Sequence, residues 1–167
     1  MSMESTTPPE SGFVPTEPVF VFGSNLAGRH GKGAALWARQ NRGAIYGVGV
    51  GRQGNSYGIP TKGYQLESLP LTRIEYHVAE FIAYARAHPD LRFQLTPVGC
   101  GLAGFSPEQI APMFLYSPAN VELPDEFMPV LTRILATEAT TANSVGTKAR
   151  EAGRSEQSTP PVKTGEG

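Results

Sequence analysis

The sequence predicts an α/β fold, a mostly parallel central sheet with helices on both faces. Two observations carry that prediction. Between residues 18 and 139, short β-rich apolar runs alternate with segments of helical period, in the order strand-helix-strand-helix-strand-helix-strand. Three glycine-rich segments, 23–33, 47–63 and 99–104, follow strands or precede helices, where α/β sheets hold their ligands.

"PVFVFG" (18–23) is short, apolar and β-rich, hence a buried strand. Lys32 to Asn41 reads as a helix, with Ala34, Ala35, Leu36 and Trp37 apolar and Arg39, Gln40 and Asn41 polar; Gly43 stands where a C-cap glycine belongs. "YGVGVGRQGNSYG" (46–58) reads as a glycine-rich loop leading into a short strand near Tyr57 to Pro60. Leu71 to His88 is the clearest helix: Ile74, Val78, Phe81, Ile82 and Ala85 recur at helical spacing, and Pro89 stops it. "RFQLTPVG" (92–99) is a strand. "SPEQIAPMF" (106–114) opens a helix with Ser106 as N-cap and Pro107 at its first position. "NVELP" (120–124) is a last short strand, and a helix near Glu126 to Thr137 packs outside it.

Residues 1–17 and 140–167 are rich in Ser, Thr, Pro, Gly and Glu. They hold too little apolar surface to offset the entropy of ordering, so both read as disordered tails around one domain, 18–139. A length of 167 residues suits a single domain with a sizeable core. With 17% charged residues and a net charge of -1, no bulk attraction to nucleic acid or membrane is implied. The single cysteine, Cys100, excludes an internal disulfide framework and a thiolate-rich zinc site. No apolar run is long enough to span a bilayer, and the start lacks a signal-peptide core. A cytoplasmic protein with no membrane partner is the expectation, with neither metal nor cofactor implied.

Two familiar phosphate motifs fail. "GRHGKGA" has a Gly-Lys but Gly33 where a P-loop needs a magnesium-holding hydroxyl. Gly49, Gly51 and Gly54 spell Gly-x-Gly-x-x-Gly, but a loop and strand follow where a dinucleotide fingerprint needs a helix. The stretch "FGSNLAGRHGKGAALW" (22–37) still has phosphate-binding physics. Gly28, Gly31 and Gly33 uncover N–H groups just before a helix N-terminus, where partial positive charge favours an anion. A tight turn needing φ > 0 is the equal alternative for one loop alone. "VGCGLAGFSPEQ" (98–109) repeats the arrangement, and two such loops favour a nucleotide diphosphate.

"SNLAGRHGKGAAL", "IPTK" and "TPVGCGLAGF", in this order, resemble macro domains, which bind ADP-ribose. The nearest branch is that of the DNA ADP-ribosyl glycohydrolase antitoxins and the terminal ADP-ribose glycohydrolase. The chain is also similar to a group of bacterial and phage proteins, some labelled phage filamentation proteins. The macro resemblance covers roughly residues 18–124 and implies a three-layer macro-like fold. It implies that Asn25 faces the ribose bearing C1″, and that Gly28, Gly31, Lys32 and Gly33 belong to the first phosphate loop. It implies a second loop of Gly99, Cys100, Gly101, Leu102, Ala103 and Gly104, with Phe105 against a ribose. Thr61 and Lys62 match the branch's Thr-Lys, whose lysine acts at the anomeric carbon; an exposed loop cation is the bland alternative.

Three departures qualify the resemblance. Ala103 stands where the terminal glycohydrolase has an aspartate, His30 replaces the usual Met, and the family's opening strands with their adenine-holding Gly-Asp segment are missing. His30 and a bound water are left as the candidates for proton transfer, and His30 also for phosphate contact, against a reading of His30 as plain polar surface. Cys100 reads as a small strand-end residue before it reads as a nucleophile. The expected function is binding of ADP-ribose or a related NAD-derived nucleotide, with hydrolysis of ADP-ribosylated DNA or protein through Lys62. The alternatives are a non-catalytic nucleotide sponge, as a phage would use against NAD-based defence, and a host-protein interaction module.

Overall fold

The computed structural model describes residues 16–140. The chain divides into two units, with the boundary between Leu131 and Thr132. The first contains a five-stranded sheet of order β2-β3-β1-β4-β5. Its strands are β1 (Val19–Asn25), β2 (Gly51–Gln53), β3 (Ser56–Lys62), β4 (Phe93–Leu95) and β5 (Val121–Glu122). β3, β1, β4 and β5 run parallel, and β2 pairs antiparallel on the β3 edge. The α/β class and the mostly parallel sheet are as the sequence predicts.

Side-chain alternation along β1 divides the core. Phe20 and Phe22 cluster with Ala35, Ala38 and Ala44 on the face covered by helix α1 (Gly33–Asn41). On the other face Tyr57 packs edge-on to Phe81 of helix α2 (Leu71–Ala87), with ring centroids 5.1 Å apart. Phe81 in turn meets Phe93 and Phe114, and all three phenylalanines are fully buried. The buried stripe of α2 holds Ile74, Val78, Phe81 and Ala85, the spacing that marks it in the sequence, and His77.

Several boundaries differ from expectation. The stretch read as a loop over 46–58 contains β2 and its hairpin to β3, because the turn at Gly54–Asn55 folds Gln53 back opposite Ser56. Sequence alone hides this strand, since only one of its three residues is buried. The strand expected near Tyr57 to Pro60 extends over Ser56–Lys62, and that expected over 92–99 shortens to Phe93–Leu95. The helix after Ser106 is one turn long, helix α3 (Pro107–Ile110), and passes into a 3₁₀ turn, Ala111–Phe114. Pro112 has no N–H with which to continue the α ladder. Its start is capped as read, with Ser106 N–H donating to Gln109 Oε1 at 2.9 Å.

The last helix, α4, runs over residues 128–140 behind a 3₁₀ turn, Asp125–Phe127. The expected tails lie outside the described residues except at Thr16, Glu17 and Thr140. Glu17 is tied to the domain: Asn55 Nδ2 donates to its carbonyl at 3.2 Å, and Arg42 pairs with its carboxylate at 3.5 Å. No helix among the described residues is long and apolar enough to cross a membrane.

Candidate functional site

The carboxyl ends of β1 and β3 and the segment after β4 meet in one cleft of about 670 Å³, a size ordinary for small-molecule sites. Gly23, Ser24 and Asn25 come from β1, Thr61 and Lys62 from β3, and Thr96 to Val98 from the chain beyond β4. The register between β1 and β3 slips between Ser24 and Asn25, so Asn25 pairs with Lys62. Leu26 N–H then donates to the Lys62 carbonyl at 2.9 Å and holds the two strand ends together.

The chain leaves β1 through a turn closed by Gly28 N–H to the Asn25 carbonyl, 2.9 Å. Gly28 has a φ of +71°, and a Cβ there would overlap the backbone of Gly47 and Val48. It belongs to the packing of two loops and does not line the cleft. Asn25 does line it, yet both ends of its amide engage Arg29: Oδ1 accepts the Arg29 N–H at 2.8 Å and Nδ2 donates to the Arg29 carbonyl at 2.9 Å.

Gly31, Lys32, Gly33, Ala34 and Ala35 form the next wall. Lys32, read from sequence as helical, is the extended N-cap of α1, with φ -148° and ψ 161°. The first intrahelical bond runs from Leu36 N–H to the Lys32 carbonyl at 3.2 Å. The N–H groups of Gly33, Ala34 and Ala35 precede it, and among the described residues no side chain caps them. The second loop supplies Gly99, Cys100, Gly101, Leu102 and Ala103. It is closed by Phe105 N–H to the Gly99 carbonyl at 2.9 Å and Gly104 N–H to the Gly101 carbonyl at 3.0 Å. Among the described residues no backbone carbonyl accepts the N–H of Gly101, Leu102 or Ala103. Gly104 and Phe105 close this loop and do not line the cleft.

Gly31 and Gly101 differ from the other glycines of these loops. Neither has a positive φ, and among the described residues a Cβ added to either would meet nothing within 4 Å. Neither backbone conformation nor packing among the described residues calls for glycine at these two points. Both face the cleft.

His30 is fully buried and absent from the cleft wall. Its Nε2 faces two acceptors, the Val48 carbonyl at 2.9 Å and Gln53 Oε1 at 3.2 Å, so Nε2 carries the proton. Its ring stands edge-on to Phe22, 5.3 Å between centroids. Position and partners make it a loop anchor. Cys100 is half-buried in the wall, and burial, followed by the charges of Glu126 and Glu108, pushes its thiol pKa up, away from the thiolate a nucleophile needs.

The cleft wall contains three cations, Arg29, Lys32 and Lys62, and no Asp or Glu among the described residues. Arg29 and Lys32 are exposed and Lys62 is half-buried. Three positive charges gathered on one wall, on a chain of net charge -1, give the cleft a locally positive potential. Among the described residues no three His, Cys, Asp or Glu side chains gather to hold a metal. Arg29, Tyr46 and Leu66 also line the cleft without having been singled out in the sequence. Arg29 lay in view inside the first motif; Tyr46 and Leu66 reach the cleft only through the fold.

The fold and the site together define an α/β protein with a cationic, glycine-walled cleft at the carboxyl edge of its sheet. The chain matches no protein-family model, no curated protein and no solved structure.

Proposed function

We propose that the cleft binds ADP-ribose or a related NAD-derived nucleotide, with the diphosphate between the loops at 31–35 and 99–103. The observation that carries this reading is the charge of the wall: three cations, no carboxylate among its described residues, and uncapped N–H groups at the start of a nine-residue helix. The resemblance of the three motifs to macro domains supports the choice of nucleotide, and with it a three-layer macro-like reading of the fold. Gly31 and Gly101 support it further, since a ligand in the cleft would use the space that a side chain there would fill.

Titration calorimetry with ADP-ribose tests the proposal. Saturable binding that weakens as salt rises is expected. Absence of heat with ADP-ribose, under conditions where the protein melts cooperatively, would sink it.

A second reading, slow hydrolysis of ADP-ribosyl linkages, rests on Lys62. Its side chain is half-buried on the cleft wall beside Asn25. Attack of the Lys62 amine on an anomeric carbon would expel the linked base or side chain, and water would then free ADP-ribose. The wall offers no carboxylate among its described residues for either proton transfer, and general acid–base help is worth about 10²–10⁴-fold. Release of ADP-ribose from modified DNA or protein, followed by mass spectrometry, should therefore be slow and should vanish in Lys62→Ala. Equal release from both proteins would remove Lys62 from the chemistry.

A further inference from the structure

Five aromatic side chains among the described residues are largely exposed: Trp37, Tyr46, Tyr64, Tyr76 and Tyr116. Of these, Tyr46 lines the cleft. It is 57% exposed, yet its backbone is held on both sides. Ile45 N–H donates to Gln53 Oε1 at 2.7 Å, and Gly47 N–H donates to the Gly28 carbonyl at 2.8 Å. Val48 N–H to the Ile45 carbonyl, 3.0 Å, closes the turn around Tyr46.

The anchor itself is buried. Gln53, 3% exposed, also donates from Nε2 to the Val48 carbonyl at 2.9 Å, and His30 Nε2 bonds that carbonyl and Gln53 Oε1. A buried glutamine and a buried histidine therefore fix the turn that carries the largely exposed Tyr46. The Arg39 guanidinium lies over the Tyr46 ring, 5.2 Å from the centroid, and Arg39 is not part of the cleft wall.

We propose that Tyr46 is the platform on which the aromatic base of the bound nucleotide stacks. The proposal rests on the nucleotide reading above and adds to it the group that holds the base. An aromatic face accepts any base without hydrogen-bond readout, so selectivity here would be for an aromatic ring over none. Holding the backbone of the turn in place before binding removes part of the ordering cost from the binding step.

Calorimetry with ADP-ribose on wild type, Tyr46→Ala, Tyr46→Phe and Arg39→Ala tests it, with melting temperatures as the control for folding. Stacking on a single aromatic is typically worth about five- to a hundredfold in affinity, so Tyr46→Ala should lose about tenfold or more. Tyr46→Phe should stay within about threefold of wild type, and Arg39→Ala should fall between them. Wild-type affinity in Tyr46→Ala would overturn the platform and leave the nucleotide reading standing. An equal loss in Tyr46→Phe would also overturn it, in favour of a hydrogen bond from the hydroxyl. No ADP-ribose binding by wild type would overturn both.

Discussion

Asn25 and Arg29 are joined by a two-point bridge, side-chain amide to backbone amide, at 2.8 and 2.9 Å. The bridge closes the loop that carries the chain from the central strand to the first glycine wall. It also sets Arg29 at the cleft.

Asn25→Ala should therefore act through the loop before it acts through the ligand. Leaving the Arg29 N–H and carbonyl without partners costs about 1–3 kcal/mol, read as a shift in urea midpoint. ADP-ribose affinity should fall in parallel. Asn25→Asp should be worse, because a carboxylate cannot donate to the Arg29 carbonyl and it lowers the positive charge of the cleft. A stability for Asn25→Ala equal to wild type would show that the bridge holds nothing.

The glycines should separate into two groups. Gly31→Val and Gly101→Val add side chains to open space at ordinary φ, so melting temperatures should stay close to wild type while ADP-ribose binding is lost. Gly28→Val combines a φ of +71° with overlap on Gly47 and Val48, and should fail to fold or lose several kcal/mol. Full ADP-ribose affinity in both Gly31→Val and Gly101→Val would place the ligand elsewhere.

Cys100 should alkylate slowly. Its thiol pKa is raised by burial and by Glu126 and Glu108, so less thiolate is present at pH 7.5 than for a free cysteine. Iodoacetamide labelling followed by mass spectrometry should accelerate as pH rises. Because Cys100 lines the cleft, ADP-ribose should slow the labelling further. Labelling faster than that of a small free thiol would contradict the raised pKa.

Tyr57 predicts an alkaline limit to stability. Burial first, then Glu80 and Tyr84, raise its pKa from about 10 to about 12. The unfolded phenol loses its proton near pH 10, whereas the folded one keeps it until near 12. The stabilisation is thus complete below pH 10 and is lost as pH rises toward 12, by roughly 2–3 kcal/mol. Denaturation curves between pH 9 and 12 should show this fall in wild type and a shallower one in Tyr57→Phe. Parallel curves would assign the alkaline loss to other groups.

The sequence by itself determined the alternation of strands and helices, because that information is local. Apolar β-rich runs mark β1 and β4, the 3.6-residue period of Ile74, Val78, Phe81 and Ala85 marks α2, and Ser106 with Pro107 marks the start of α3. It also identified both glycine walls and Lys62, since each wall is a contiguous stretch at a strand end. Only the tertiary structure decided how the members of those stretches divide. Gly28 and His30 turn inward to hold a neighbouring loop, whereas Gly31, Lys32 and Gly33 line the cleft, a division set by packing against residues 47–53. β2 was illegible because its pairing partner, not its own residues, makes it a strand. Tyr46 was illegible for the same kind of reason. Its place beside the cleft follows from Gln53 and Gly28, seven residues after it and eighteen before it in the chain, closing the turn from both sides.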